Sequence, residues 1–146
     1  MSQTATNKYK YLLATGGIVP GTTDLRMGLL KTLAGHTNVP DINFIADMEA
    51  HADFAEITGA VSGYARVALT TGVGTEDDTN DWALIDYDDV AFGALGAGET
   101  IVGAFIFIQT GSDATASVLS IHDLTSTPTN GGTVTVTTGS GITKLV

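Results

Sequence analysis

The sequence predicts a mainly-β chain: a β-sandwich or jelly-roll-like barrel with one short helix and an extended N-terminal arm. Two observations carry that prediction. Short β-type runs follow one another in the C-terminal half, at residues 101–108 (IVGAFIFI), 118–124 (VLSIHDL), 133–137 (TVTVT) and 142–146 (ITKLV), with turns of Gly, Thr, Asn and Asp between them. The chain has 146 residues and no Cys, so it is long enough to bury a core and must do so without disulfides.

Taken in order, residues 1–8 lack hydrophobic periodicity and read as a flexible arm, which leaves 9–146 as a single β-rich domain. Tyr9, Tyr11 and Leu13 alternate along 9–15 and predict a first strand, broken by Gly16, Gly17, Pro20 and Gly21. Residues 25–33 (LRMGLLKTL) fit a short helix almost as well as a strand, but the flanking turns and the internal Gly28 favour the strand. The one helix is expected after Pro40 and Asp41, capped by Asp41 or Asn43, with Phe44, Ile45, Met48 and Ala52 at helical spacing. A β pattern returns at 64–70 and 82–92, with the acidic turn 76–81 (EDDTND) between them. In 133–137 the alternation turns Val134 and Val136 inward and the threonines outward. Residues 101–108 are apolar on both faces after Gly103, which predicts a central strand or one whose second face a neighbouring subunit covers.

The formal net charge is -10, yet charged residues make up only 15% of the chain, against about 25% in ordinary domains. The six basic residues are scattered, which argues against nucleic acid as a partner. With so little charge, the surface must be covered largely by Thr, Ser, Gly and Ala, which suits packing against other copies or another protein. The N-terminal residues show no signal peptide, and the longest apolar stretch falls far short of the roughly 20 residues of a spanning helix. A soluble protein without a membrane partner is therefore expected.

The ionisable residues offer little chemistry. Glu76, Asp77, Asp78 and Asp81 could supply oxygens to a calcium ion, but they lack the spacing of a calcium loop and read more simply as a solvated hairpin tip. Asp86, Asp88 and Asp89 invite a glycosidase reading; edge charges that discourage sheet-to-sheet aggregation explain them with fewer assumptions. His36, His51 and His122 have no zinc-site spacing, and His122 and Asp123 face opposite ways if they share a strand. Ser117 and Ser120 sit in no nucleophile elbow, and Gly96, Gly98 and Gly103 form no phosphate loop. The expectation is a protein that is not an enzyme, with no catalytic residue, cofactor or metal. Arg66 stands apart: an isolated Arg in an acidic chain calls for a carboxylate partner, either within the chain near Asp86 or in another subunit.

Several phrases of the chain carry a family likeness: YKYLLATG (9–16), LRMGLL (25–30), GYARVALT (63–70), GETIVGAFIFIQTGSDAT (98–115), SVLSIHDL (117–124) and the ending PTNGGTVTVTTGSGITKLV. Through them the chain, from Tyr9 onward, resembles the small structural proteins of tailed bacteriophage virions. The resemblance implies a capsid decoration, or cement, protein: a homo-oligomer, typically a trimer, assembled in the host cytoplasm and seated on the outer surface of the head. There it would clamp adjacent copies of the major capsid protein, with an N-terminal arm that orders on contact. A tail or head-fibre protein that recognises a host surface or glycan is the alternative. An acidic chain is repelled by packaged DNA, which favours an outer position. The residues expected at the interface are Tyr9, Tyr11, Arg66, Phe105 and Phe107.

Overall fold

The computed structural model describes residues 3–19, 21–58, 61–79, 82–138 and 143–145. The fold is mainly β and sandwich-like, as the strand rhythm predicts. Its strands, in chain order, are β1 (Gln3–Ala5), β2 (Leu25–Leu33), β3 (Phe54–Glu56), β4 (Val67–Ala68), β5 (Val73–Asp77), β6 (Trp82–Asp86), β7 (Val90–Ala94), β8 (Thr100–Ile108), β9 (Val118–Pro128), β10 (Thr133–Val136) and β11 (Thr143–Leu145). Two helices, α1 (Asn7–Ala14) and α2 (Ile45–Ala50), and a 3-10 turn at Val39–Asp41 complete the described elements.

The largest sheet is antiparallel and runs β1-β9-β8-β2-β3, with β4 also paired to β2. Strand β8 lies at its centre because its sequence is apolar on both faces. Ala104 and Ile106 enter one apolar cluster, together with Met27, Leu29 and Leu119. Phe105 and Phe107 point the other way and meet Leu30, Ile45, Met48, Val118 and Ile121. Val118 and Ile121, three residues apart on β9, share this face because the β8–β9 register shifts beside Ile106 and Phe107 and leaves Leu119 as the extra residue. The sequence left open whether a neighbouring subunit covers the second face. The chain covers it itself, with α2 and the 3-10 turn. On the first face the β7–β10 ribbon contributes Val90, Phe92 and Val136, and the β5–β6–β11 sheet contributes Ile85.

Gly28 shows how the central pairing is fitted. It lies directly opposite Phe105, and a Cβ at position 28 would sit 2.4 Å from the Phe105 ring. The missing side chain leaves room for the ring to lie over β2.

Several elements differ from expectation. Residues 9–14 are helical: Thr6 caps α1, its Oγ1 accepting the Tyr9 N–H at 3.0 Å and donating to the Val118 carbonyl at 2.8 Å. Gly16, at φ 70, ends the helix in the left-handed conformation, and the Gly17 N–H reaches back to the Leu12 carbonyl. The N-terminal arm is built into the fold over its described part, since Gln3, Thr4 and Ala5 pair with His122, Ile121 and Ser120. Met1 and Ser2 lie outside the described residues.

Helix α2 begins after Phe44, whose N–H is accepted by Asp47, so neither Asp41 nor Asn43 caps it. Ala52 falls beyond its end. The run 64–70 contracts to β4, and 82–92 divides into β6 and β7. Of the expected acidic turn, Glu76 and Asp77 belong to β5 and pair with β6, and Glu76 and Asp78 are exposed; Asn80 and Asp81 lie outside the described residues. So do Ile142 and Val146, which flank β11.

Candidate functional site

Three of the five residues expected at an interface meet inside the chain. Arg66, on the segment leading into β4, forms a two-bond fork with Glu56 of β3, Nε to Oε1 at 2.8 Å and Nη2 to Oε2 at 2.6 Å. A second fork reaches Asp113, in the connection between β8 and β9, at 2.5 and 3.1 Å. Glu49 of α2 comes within 3.6 Å of the same guanidinium. The plane of Arg66 covers the two phenyl rings, 5.9 Å from the centroid of Phe105 and 5.2 Å from that of Phe107.

The Tyr64 hydroxyl extends this network, donating to Glu56 at 2.6 Å and accepting the Leu29 N–H at 2.9 Å. That bond satisfies a β2 edge amide in the gap between the pairings of β2 with β4 and with β3.

The electrostatics follow from one cation facing three carboxylates. The Glu56 fork, more than any other cause, holds Arg66 charged well beyond its ordinary range, against the opposing effect of burial. Burial pushes the Tyr64 hydroxyl far above the usual phenol range, and the Glu56 carboxylate adds to the effect. Glu49 is raised first by burial, then by repulsion from Asp113 and Glu56, against a smaller opposing pull from Arg66. Such an assembly fastens β3, α2 and the β8–β9 connection to one another, which is a structural task. The intramolecular partner expected for Arg66 is therefore present, but it is Glu56 with Asp113 and not the aspartates near Asp86.

Those aspartates hold loops. Asp88 accepts hydrogen bonds from the Thr70 and Thr71 hydroxyls, and Asp89 accepts the Thr138 N–H. Asp86 accepts the N–H of Tyr87. His122 and Asp123 do face opposite ways: His122 is buried against the Ser120 hydroxyl at 2.9 Å, whereas Asp123 meets His36 at 2.9 Å. Burial lowers His122 to about 4, so at neutral pH its ring is uncharged. Among the described residues no group of three or more His, Asp or Glu is placed to hold a metal ion.

Of the remaining interface candidates, Tyr9 is buried in the first cluster and Tyr11 is 60% exposed on α1. Tyr9, Phe105 and Phe107 are thus enclosed by their own chain, and only Tyr11 presents most of its side chain outward. Their apolarity was visible in the sequence; the elements that enclose them were not.

The feature that does open outward is a groove of about 610 Å³ between the distal half of β9 and β10. Ile101, Leu124, Val134 and Val136 supply its apolar lining. Thr125, Thr127, Thr135 and Thr137 add hydroxyl-bearing side chains, and Asp123 adds a carboxylate. Ile101 of β8, which pairs with Thr127 of β9, lines it as well, so the groove reaches across the end of the β8–β9 pair.

Comparison with known proteins found no matching family model, curated protein or solved structure. What the groove can do must therefore be read from its own chemistry. Its apolar side chains and hydroxyls are suited to contact with a peptide.

Proposed function

We propose that this chain is a structural protein of a tailed-phage virion, a capsid decoration protein that binds the outer surface of the head and strengthens contacts between major capsid proteins. The observation that supports this reading best is the division of labour among its polar residues. Arg66 and the buried Glu56 are bonded to each other, and the exposed Asp88 and Asp89 are held by threonine hydroxyls and the Thr138 N–H. The outward groove is lined with threonines and aliphatic side chains, which bind without reacting. The acidic balance of the chain, -10 overall, adds a preference for the outside of a DNA-filled shell. In this reading the chain acts as a homo-oligomer, a trimer, and no catalytic residue, cofactor or nucleic acid takes part.

The test is to incubate the purified chain with expanded capsids of the parent phage that lack it, and with unexpanded precursor shells, followed by sedimentation and cryo-electron microscopy. Saturable binding to expanded capsids, with density on their outer surface, is expected. Density confined to the tail or to fibres would favour the alternative of a host-surface protein, and absence of binding to any shell would reject the decoration reading.

A further inference from the structure

Most charges of the chain are matched within it. Among the described side chains, every carboxylate but three is held by another side chain or by a backbone N–H. Arg26, Lys31 and Arg66 likewise face Asp24, Glu99 and Glu56. The charges left over gather in two places. Lys8 and Lys10, both on α1, pair with no carboxylate among the described residues. Glu76 and Asp78, at the far end of β5 and just beyond it, are exposed and pair with no cation there. The third free carboxylate, Asp41, is exposed on the 3-10 turn beside α1 and pairs with neither lysine.

Helix α1 has no anion of its own to offset its lysines, since residues 1–23 contain no Asp or Glu. Its exposed residues, Asn7, Lys10, Tyr11 and Ala14, recur at the spacing of one outward face. At about 100° per residue, Tyr11 falls between Lys8 and Lys10 around the helix. The Lys8 ammonium lies 5.7 Å from the centroid of the Tyr11 ring and 5.5 Å from that of Phe44. The face is thus an exposed aromatic ring flanked by two ammonium groups, and tyrosine is a residue type enriched at protein interfaces.

Strand β5 carries the opposite character. Val73, Gly74, Thr75 and Glu76 are all exposed, so the strand shows both of its faces to solvent. Tyr11, Val19 and Val73 are the large apolar side chains more than half exposed among the described residues, and α1 and β5 hold one each. Each patch therefore joins an uncovered apolar side chain to two unpaired charges, positive on α1 and negative on β5.

The acidic partner that α1 lacks is present on the chain itself, and within one molecule the two patches form no ion pair. Two chains of net charge -10 repel each other at long range. At about 0.15 M salt that repulsion is largely screened beyond about 8 Å, so opposite charges in contact decide the docking.

We infer that α1 of one copy receives the acidic end of β5 from a second copy, with Lys8 and Lys10 facing Glu76 and Asp78 and Tyr11 packed against the strand. The contact joins two different surfaces, so it is head-to-tail and closes into a ring when the rotation permits. Closure at three copies rests on the trimer of the proposed function; the contact itself rests on the two patches.

Lys8→Glu with Lys10→Glu reverses one patch, Glu76→Lys with Asp78→Lys reverses the other, and a further variant carries all four changes. Sedimentation velocity of the chain alone, over a range of concentrations at about 0.15 M salt, reads association, and thermal melting reads the fold. The expected result is concentration-dependent association of the wild type and at least about a tenfold loss of affinity in each reversed pair. The variant with all four changes should recover to within a few-fold, with melting unchanged throughout. Because Lys8 rests on Phe44, Lys10→Glu alone repeats the first test at an exposed position and should also weaken association. The first pair makes the chain more acidic by four charges and the second makes it less acidic by four, so general repulsion would weaken one and strengthen the other. Stronger association of Glu76→Lys with Asp78→Lys would therefore overturn the inference. A wild type that stays monomeric would do the same, as would a folded variant with all four changes that stays dissociated. These outcomes concern the chain alone, so they leave the decoration reading to the capsid incubation, whose failure would in turn leave the contact between copies untouched.

Discussion

Removing the Arg66 guanidinium would leave Glu56, only 7% exposed, with the Tyr64 hydroxyl as its remaining side-chain donor, while Asp113 and Glu49 stay close by without a cation between them. Breaking a largely buried pair from one side is costly because the orphaned charge stays desolvated. Arg66→Ala should destabilise the chain by about 3 kcal/mol in urea unfolding. Arg66→Lys should recover less than half of that loss, since an ammonium cannot hold two carboxylates in forks. A loss within about 0.5 kcal/mol for Arg66→Ala would mean that the network behaves as an ordinary surface pair. His122 predicts a dependence on pH. Its folded value, about 4, lies below the ordinary 6.5, so the unfolded chain takes up the proton first as pH falls. The associated stability is present above pH 6.5 and is lost as pH falls toward 4, up to about 3 kcal/mol over the whole window. Glu49, raised in the folded chain, acts with the opposite sign and partly offsets the loss. Urea midpoints measured from pH 7 to pH 4 should therefore decline in the wild type and decline less in His122→Gln, which keeps a polar partner for Ser120. Equal slopes in the two proteins would contradict this account of His122.

The pairing of β2 with β8 makes a prediction of its own. Adding one methyl at Gly28 drives a Cβ to 2.4 Å from the Phe105 ring, which is itself fully buried between Leu30 and Ile121 and cannot move freely. Gly28→Ala should cost about 3 kcal/mol through overpacking. The penalty should shrink in a Phe105→Leu background, and a double-mutant cycle by urea denaturation measures the coupling. Additive losses would show that the glycine is needed for some reason other than the ring. Strands β8 and β10 were legible because each carries its own signal within a short window, two-sided apolarity in one and strict alternation in the other, whereas β2 was separated from a short helix only by its flanking turns and Gly28. Helix α1 was missed although its marks were present: Tyr9, Leu12 and Leu13 at helical spacing, Thr6 before them and Gly16 after. Over seven residues, alternation at Tyr9, Tyr11 and Leu13 competes with that pattern, and the exposure of Tyr11 is what separates the two. The site was less legible than the strands. That Arg66 has a carboxylate partner could be argued from composition, but Glu56 and Asp113 are brought to it by the order β3-β2-β8-β9, which no local pattern displays. The groove is hidden for the same reason: its two sides belong to different sheets.

For the molecule as a whole, the proposed activity is a linkage between this chain and the assembled shell. A protein that binds the expanded capsid and neither its precursor nor its dissociated subunits lowers the free energy of the expanded state alone, without any chemical step. The gain per site grows as the logarithm of free concentration above Kd, so each tenfold increase adds about 1.4 kcal/mol. The temperature at which expanded capsids release their DNA should therefore climb steadily with added chain, even after every site is nearly full, while the melting of precursor shells stays unchanged. Light scattering and dye access to DNA during heating would follow both. A fixed increment that stops growing at saturation would point instead to a slowed unfolding rate, and equal stabilisation of both shells would remove the selectivity on which the mechanism depends. Ionic strength separates the contributions to binding. If apolar contact in the groove dominates, raising salt from 0.05 to about 0.5 M should change affinity only a few-fold, because apolar contacts are screened little. A steep decline would shift the weight of binding from the groove to the acidic surface, where the exposed β5–β6 hairpin with Glu76 and Asp78 would be the first region to neutralise.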